Sequence, residues 1–443
     1  MSLLSDLGAE LVAVVSAVVG ALPFVIGYIL LVLAAMFVWS FIKRLMTPKH
    51  DYGSLKTVTF GDESAVTSNT AASVVSIVLI FLFWGAFTGS KLLPGFLHMP
   101  GPYVGESSFT YTASDGTQTD DATVSVVVFA LGSEIDDPVV EPGDGFAKND
   151  AVAVAAYRNK LLRVDQNDVL GRDDGVTITA VNGNPISPGN PVKTDFGTVS
   201  MSPKGTLNIS PAKGIQMEPI WLPAPEAVWA RVVDISKDGY RNSTLWEHLG
   251  YSLFRVVVGF LLGAIVGIPL GYAMGLSNWF RGWFDPIVEF MRPVPPLALI
   301  PLVIIWAGIG EVGKIILLFL AALWIMAIAA RSGVSGVRIS KVHAAYSLGA
   351  SKWQIMRHVI IPNSLPEIFT GARVAMGVCW GTVVAAELVA AEKGVGMMIM
   401  VASKFQSTDI VMMGIILIGI IGFSIDMLVR WLERWLVPWK GKG

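Results

Sequence analysis

Apolar residues in this chain gather in long, nearly unbroken runs, separated by short segments rich in basic residues, glycine and proline. Runs of this kind predict helices buried on every side, in a membrane, not the one-sided stripe of a soluble helix. They cover residues 11–42, 72–87, 251–274, 296–307, 315–330, 366–390 and 410–431. The first run is longer than one crossing needs and contains Pro23, so it reads either as one tilted helix or as two shorter ones. From residue 91 to 221 the pattern is different: Phe109-Thr-Tyr-Thr and Thr123-Val-Ser-Val-Val-Val alternate with period two between Asp and Gly turns. That alternation predicts a β-sandwich.

Composition agrees with the membrane reading, with 53% hydrophobic and 15% charged residues and a mean hydropathy of +0.61. The net charge of -2 describes no single surface, because basic residues collect in a few loops. Lys43, Arg44, Lys49 and Lys56 form one such loop. Arg281 with Arg292, then Arg331, Arg338, Lys341, Lys352 and Arg357, then Arg430, Arg434, Lys440 and Lys442 form three more. Placing all of these inside satisfies the positive-inside rule and puts the β-rich insertion outside; the N-terminus is then also outside if residues 11–42 cross once. No basic n-region or small-residue cleavage site precedes that run, so it reads as a retained membrane segment.

Chemistry-bearing residues are sparse. The single cysteine, Cys379, lies in an apolar run and is expected to pack there, which leaves no disulfide framework and no cysteine metal site. His50, His98, His248, His343 and His358 show no metal-ligand spacing and read as interfacial or loop histidines. Gly259, Gly263, Gly267, Gly271 and Gly275 recur every fourth residue and mark one helix face for close backbone approach. Arg255 and Glu387 lie within spans, at similar depth. Charges there usually pair or line a wet path, so they are expected either to tie two helices together or to face a translocation pathway as partners or gate elements.

The segment 343–366, HAAYSLGASKWQIMRHVIIPNSLP, interrupts the apolar pattern. It predicts a short helix over 342–349, a tight turn at Gly349 and a second short helix over 350–359 ended by Pro362. Ala344, Ala345 and Gly349 leave little side-chain bulk, which suits a helix lying in another protein's groove; on composition alone it is an ordinary basic loop. Two alanines, a glycine three residues later, and nine residues to Val359-Ile-Ile-Pro362 resemble the cytoplasmic signature loop of ABC-importer permeases. His343 stands where that family often has Glu, Val359 replaces Ile and Ile361 replaces Leu.

The resemblance extends over residues 221–440. It includes Leu222-Pro-Ala-Pro, Leu245-Trp-Glu-His-Leu, Arg292-Pro-Val-Pro-Pro, Trp306-Ala-Gly-Ile-Gly-Glu, Val384-Ala-Ala-Glu-Leu and Trp435-Leu-Val-Pro-Trp. These look like the taurine, sulfonate and nitrate branch, with most similarity to taurine permeases. The resemblance implies an all-α polytopic membrane protein of the type I ABC-importer permease fold, into which an extracytoplasmic β-sandwich has been inserted. It divides the chain into an extra N-terminal membrane segment with its basic loop (1–70), a first span (71–90), the insertion (91–221) and a permease core (222–443) with a coupling loop at 331–365. It further implies that His343, Ala344, Ala345, Gly349, Ala350 and Ser351 couple to an ATPase.

The partners implied are a second copy, two ATP-binding cassette subunits, a periplasmic substrate-binding protein and the lipid of a bacterial inner membrane, with no nucleic acid. Such a chain is a transport subunit and not an enzyme; it binds no cofactor itself, and ATP and Mg act through the partner. Gly308-Ile-Gly-Glu-Val-Gly-Lys314 approximates a phosphate-binding loop, but Ile315 stands where magnesium coordination needs Ser or Thr. Nucleotide binding by this chain is therefore rejected.

The insertion resembles cadherin-like and Ig-like bacterial repeats with closing strands before opening strands, as in a circularly permuted domain. Its acidic loops, Asp136-Asp137, Asp165 to Asp168 and Asp173-Asp174, read as solvated surface, with calcium binding as the alternative. Two other functions compete: an importer of nitrate or another small anion, and a membrane-anchored adhesion protein whose β domain is the working part. An uncoupled channel has no use for the signature loop.

Overall fold

The computed structural model describes residues 22–23, 25–39, 41, 70–133, 135–170 and 175–439. The basic loop from Lys43 to Lys56, residues 11–21 of the first apolar run, Asp173-Asp174 and Lys440 with Lys442 lie outside the described residues. The chain forms two compact units, divided between Glu226 and Ala227.

In the first unit, α1 (Val25–Trp39) and α2 (Thr70–Thr88) meet where Tyr28 stands edge-on to Phe83, with ring centroids 5.5 Å apart. Val74, Ile77, Val78, Ile80 and Phe81 of α2 are exposed, as a helix face turned toward lipid would be. Among the described residues nine strands follow: β1 (Gly105–Ser114), β2 (Thr119–Phe129), β3 (Asp150–Ala155), β4 (Lys160–Leu162), β5 (Thr177–Val181), β6 (Asn184–Pro185), β7 (Val192–Thr194), β8 (Gly197–Met201) and β9 (Leu207–Pro211). They make one sheet in the order β3-β2-β1-β5-β6 and another in the order β4-β9-β8-β7.

The period-two alternation read from the sequence sets the buried face. Phe109, Tyr111 and Ala113 of β1 and Ala122, Val124, Val126 and Val128 of β2 point into a core shared with Val199, Leu207 and Ile209 of the second sheet. The β1–β2 turn is fixed by Asp115, whose carboxylate accepts from the N–H groups of Thr117 and Gln118 at 2.7 Å, while Gly116 takes a φ of +91°. Most strand pairs are antiparallel, but β2 and β3 run parallel, joined by the long connection between them. The ends of the insertion are tied together where Ile215 N–H donates to Pro100 O at 2.7 Å and Met217 N–H to Phe87 O at 2.8 Å.

Inside this core, burial pushes the Asp150 carboxyl up to about 7, helped by the charge of Asp168, and burial likewise raises Asp168. Among the described residues no group of three or more His, Cys, Asp and Glu is arranged to hold a metal ion.

The second unit is helical: α3 (Pro225–Asp238), α4 (Leu245–Leu276), α5 (Asn278–Met291), α6 (Ile300–Ala307), α7 (Glu311–Ser335), α8 (Ile339–Ser347), α9 (Lys352–Ile355), α10 (Ile361–Ala390), α11 (Val395–Lys404) and α12 (Thr408–Leu436). Among the described residues four continuous helices, Leu245–Leu276, Glu311–Ser335, Lys352–Val389 and Thr408–Leu436, are long and apolar enough to cross a membrane, and a fifth crossing results if α5 and the following segment, bent by 92°, act as one.

The glycine stripe is the seam between α4 and α7. A methyl group built on Gly259 lies 2.4 Å from Leu318 Cβ, on Gly263 2.5 Å from Ala322 Cβ, on Gly267 2.6 Å from Leu323 O and on Gly271 2.4 Å from Ala327 O. No side chain fits at any of the four, so the two backbones pack directly. Cys379 is buried, its thiol 3.5 Å from Leu318 O, as expected of a packing residue.

Three expectations are corrected. Residues 296–307 do not form one span: a 3-10 turn over Pro296–Leu299 precedes the eight residues of α6, because Pro295, Pro296 and Pro301 withhold the N–H groups a continuous helix needs. The basic stretch around Arg281 is a helix, not a loop. Val288 and Phe284 of α5 pack against Met274 and Ala327, while Asp285 and Glu289 both pair with Arg331. Pro362 does not end the second helix of the signature segment. A π-helical turn over Met356–Ile360 widens the backbone ahead of it, Ile361 N–H bonding back to Met356 O, and the helix continues into α10.

Candidate functional site

The signature segment folds into an elbow capped on both sides. At the end of α8, Ala350 N–H donates to Ala345 O at 3.0 Å and Gly349 N–H to Tyr346 O at 2.9 Å, with Gly349 at a φ of +78°. This is the Schellman arrangement, in which the residue two past the helix must adopt a left-handed backbone; glycine does so without the Cβ penalty. Ser351 then opens the next helix. Its hydroxyl accepts from Gln354 N–H at 3.4 Å, while its own N–H donates to Gln354 Oε1 at 2.8 Å, a reciprocal capping box.

A helix stop and a helix start thus abut with only Leu348, Gly349 and Ala350 between α8 and the Ser351 cap. The caps on both sides leave the elbow little freedom to bend. The sequence reading names Gly349 and Ser351 but not the pairing of Ser351 with Gln354, whose S-x-x-Q spacing is the legible capping signal.

No residue of α8 is buried. His343, Ala344 and Ser351 are exposed, Tyr346 and Trp353 are at least half exposed, and Leu348 is 89% exposed. Large apolar side chains around a small-residue helix, left uncovered among the described residues, have the character of an interface core.

A second cluster joins α4, α7 and α10. Arg255 is fully buried. Its Nε donates to Glu311 Oε2 at 2.5 Å and Nη2 to Glu311 Oε1 at 2.6 Å, and its Nη1 donates to Glu387 Oε1 at 2.5 Å and to Lys393 O at 2.8 Å. Glu387 also accepts from Ser252 Oγ at 2.8 Å and Gly396 N–H at 2.9 Å. Lys314 Nζ adds a bond to Glu311 Oε1 at 3.0 Å. The structure therefore brings Arg255 and Glu387 together, as the sequence reading anticipated, and adds Glu311, Lys314, Ser252 and Lys393, which it did not single out as partners.

His248 corrects the expectation of a loop or interfacial histidine: it is fully buried in α4. Its Nδ1 accepts from Gly394 N–H at 3.1 Å, so the Nε2 proton is the one that points at Tyr240 O, 3.0 Å away. His248, Ser252 and Arg255 stand at i, i+4 and i+7, a polar stripe on one face of an apolar helix. That spacing was visible in the sequence; the facing carboxylates, far away along the chain, were not. Lys314, the end of the phosphate-loop lookalike, sits in the first turn of α7 beside Glu311.

These features define a polytopic helical membrane protein with an exposed, doubly capped elbow and a buried charge cluster. Residues 259–438 match the family described as the binding-protein-dependent transport system inner membrane component. The taurine transport system permease protein of Escherichia coli is 46% identical over 227 residues, which cover 51% of this chain and 82% of that protein. A permease protein assigned to aliphatic sulfonates transport in Escherichia coli is 38% identical over 219 residues, covering 49% and 82%. An inward-facing structure of the MetNI methionine ABC transporter overlaps 43% of this chain and 95% of its own at 19% identity and a TM-score of 0.38, a likeness that adds nothing to the assignment. The chain belongs to the binding-protein-dependent transport permease family. It is a transmembrane permease of an ABC importer, and in that family ATP hydrolysis resides in separate subunits.

Proposed function

We propose that the importer takes up taurine or related alkanesulfonates. The observation that carries this reading is the 46% identity to a taurine transport permease across 82% of its length. The permease pairs with a second copy of itself and rests on two ATP-binding cassette subunits. A periplasmic substrate-binding protein delivers solute from the other side of the bacterial inner membrane.

The residues from His343 through Ala344, Ala345, Gly349 and Ala350 to Ser351 form the docking elbow. It transmits nucleotide-driven movement because docking contacts differ between inward-open and outward-open states, the only way a partner can shift such an equilibrium. The interdigitated α4–α7 seam moves as one block. Arg255 and Glu387 tie α4 to α10 at one end of the pathway. The β unit lies outside the membrane as a permuted sandwich that guides the binding protein.

The test is ATP-driven uptake by proteoliposomes containing the chain, its ATPase and its binding protein. Taurine and ethanesulfonate are expected to be accumulated at least tenfold over ATP-free vesicles, and nitrate is not. Accumulation of nitrate in place of sulfonates would overturn the substrate assignment.

A further inference from the structure

The charge cluster is not symmetrical in its exposure, and the asymmetry has chemical content. The side chains of Arg255 and Glu387 are 1% and 0% exposed, and Lys314 is 7% exposed, whereas Glu311, which Arg255 and Lys314 share, is 45% exposed. Glu387 is pinned by the Ser252 hydroxyl and the Gly396 N–H in addition to Arg255. Glu311 takes its described side-chain bonds from the two cations alone. It is also the first residue of α7, directly after Gly308-Ile-Gly310, where Gly308 holds a φ of +74°. A carboxylate that is half exposed at a helix start, flanked by two glycines, can be exchanged for an incoming anion that takes over its hydrogen bonds. A buried one cannot.

When Glu311 leaves, Arg255 keeps its bond to Glu387, and Lys314 gives up its bond to Glu311. The freed guanidinium edge, Nε and Nη2, then faces the opening that Glu311 occupied. That edge presents two parallel N–H groups, the geometry that pairs with two oxygens of a carboxylate or a sulfonate. Tyr251 borders the site with Arg255 5.6 Å and Lys393 5.3 Å from its ring centre, so a third cation lies near the same ring.

We infer that Arg255 and Lys314 form a receptor for the oxyanion head of the transported solute, and that Glu311 is a displaceable internal substitute occupying it when solute is absent. Two cations this deeply buried would otherwise carry a heavy desolvation cost, and the built-in carboxylate offsets it between transport events. The exchange of one oxyanion for another leaves the charge of the site unchanged, so solute arrival changes where Glu311 sits without ever exposing unpaired cations. The inference deepens the importer reading and rests on it.

The test is equilibrium binding of radiolabelled taurine to the full chain in nanodiscs, with ethanesulfonate and ethanolamine as competitors. Removing the internal competitor by Glu311→Gln is expected to tighten taurine binding at least tenfold, and ethanesulfonate but not ethanolamine is expected to displace it. Unchanged or weaker binding by a folded Glu311→Gln protein overturns the inference.

A second measurement does not depend on affinity. In Glu311→Cys, the anionic sulfonatoethyl methanethiosulfonate is expected to react at least tenfold faster than its trimethylammonium counterpart, each relative to free cysteine; the native Cys379 is buried and silent. Equal rates, or a faster cationic reagent, overturn it as well. The importer reading fails separately: if the wild-type complex accumulates taurine while Glu311→Gln binds it no better, only the inference is lost. If sulfonates bind the variant tightly but are never accumulated, only the substrate assignment is lost.

Discussion

Gly263→Leu is expected to prevent the helical unit from assembling, with loss of the monodisperse, folded fraction in detergent or nanodiscs. The position allows no side chain at all, because the first added carbon would already lie 2.5 Å from Ala322 Cβ and 2.9 Å from Phe319 O. Overpacking a tight core costs about 1–3 kcal/mol when neighbours can shift. Here the neighbour is largely backbone, and Gly259 and Gly267 hold the flanking turns equally close, so the cost is expected at or above the top of that range. Gly250→Ala, on the same helix with nothing within 4 Å of the added carbon, is the control and should leave the folded fraction unchanged. If Gly263→Leu is as well folded as that control, the direct packing of α4 on α7 is wrong.

Arg255→Met is expected to be the second most damaging change. It leaves Glu387 without a countercharge in a fully buried position. Removing one member of a buried pair typically costs about 3–5 kcal/mol, most of it the penalty of the stranded charge. Adding Glu387→Gln to Arg255→Met should therefore recover a large part of the loss. Unfolding of the single and double variants in nanodiscs gives the coupling directly. Strict additivity of the two substitutions would show that the pair does not interact as the structure has it.

Several parts of this architecture were legible in the sequence because they are periodic or local. Four-residue glycine spacing marks a helix face whatever it packs against, and period-two alternation in residues 105–129 fixed which side chains of β1 and β2 face inward. Gly349 announced its own left-handed backbone. What escaped was long-range or compensated. Arg255 meets Glu311 and Glu387 across gaps of 56 and 132 residues, and no pattern within a helix names its partner on another.

Helix α5 reads as a loop in the sequence since Arg281, Asp285 and Glu289, with Arg292 just past its end, break the apolar run. Those charges sit on one face, paired with each other or with Arg331, while Trp279, Trp283 and Phe290 line another, exposed one. Pro362 was read as a terminator because proline removes a helical hydrogen bond, but the π turn before it makes room for the ring without ending the helix.

The proposed grip of the elbow on a separate ATPase is open to site-directed cross-linking. A cysteine at Ala344, the exposed small residue of α8, is placed in the complex assembled with its ATPase subunits in nanodiscs and treated with a short bifunctional thiol reagent, using an ATPase that carries single cysteines along its permease-facing surface. A covalent permease–ATPase product, whose yield changes between the nucleotide-free and ATP-trapped complex, is the predicted result. A complex that transports solute yet gives no such product from any ATPase position would contradict the account.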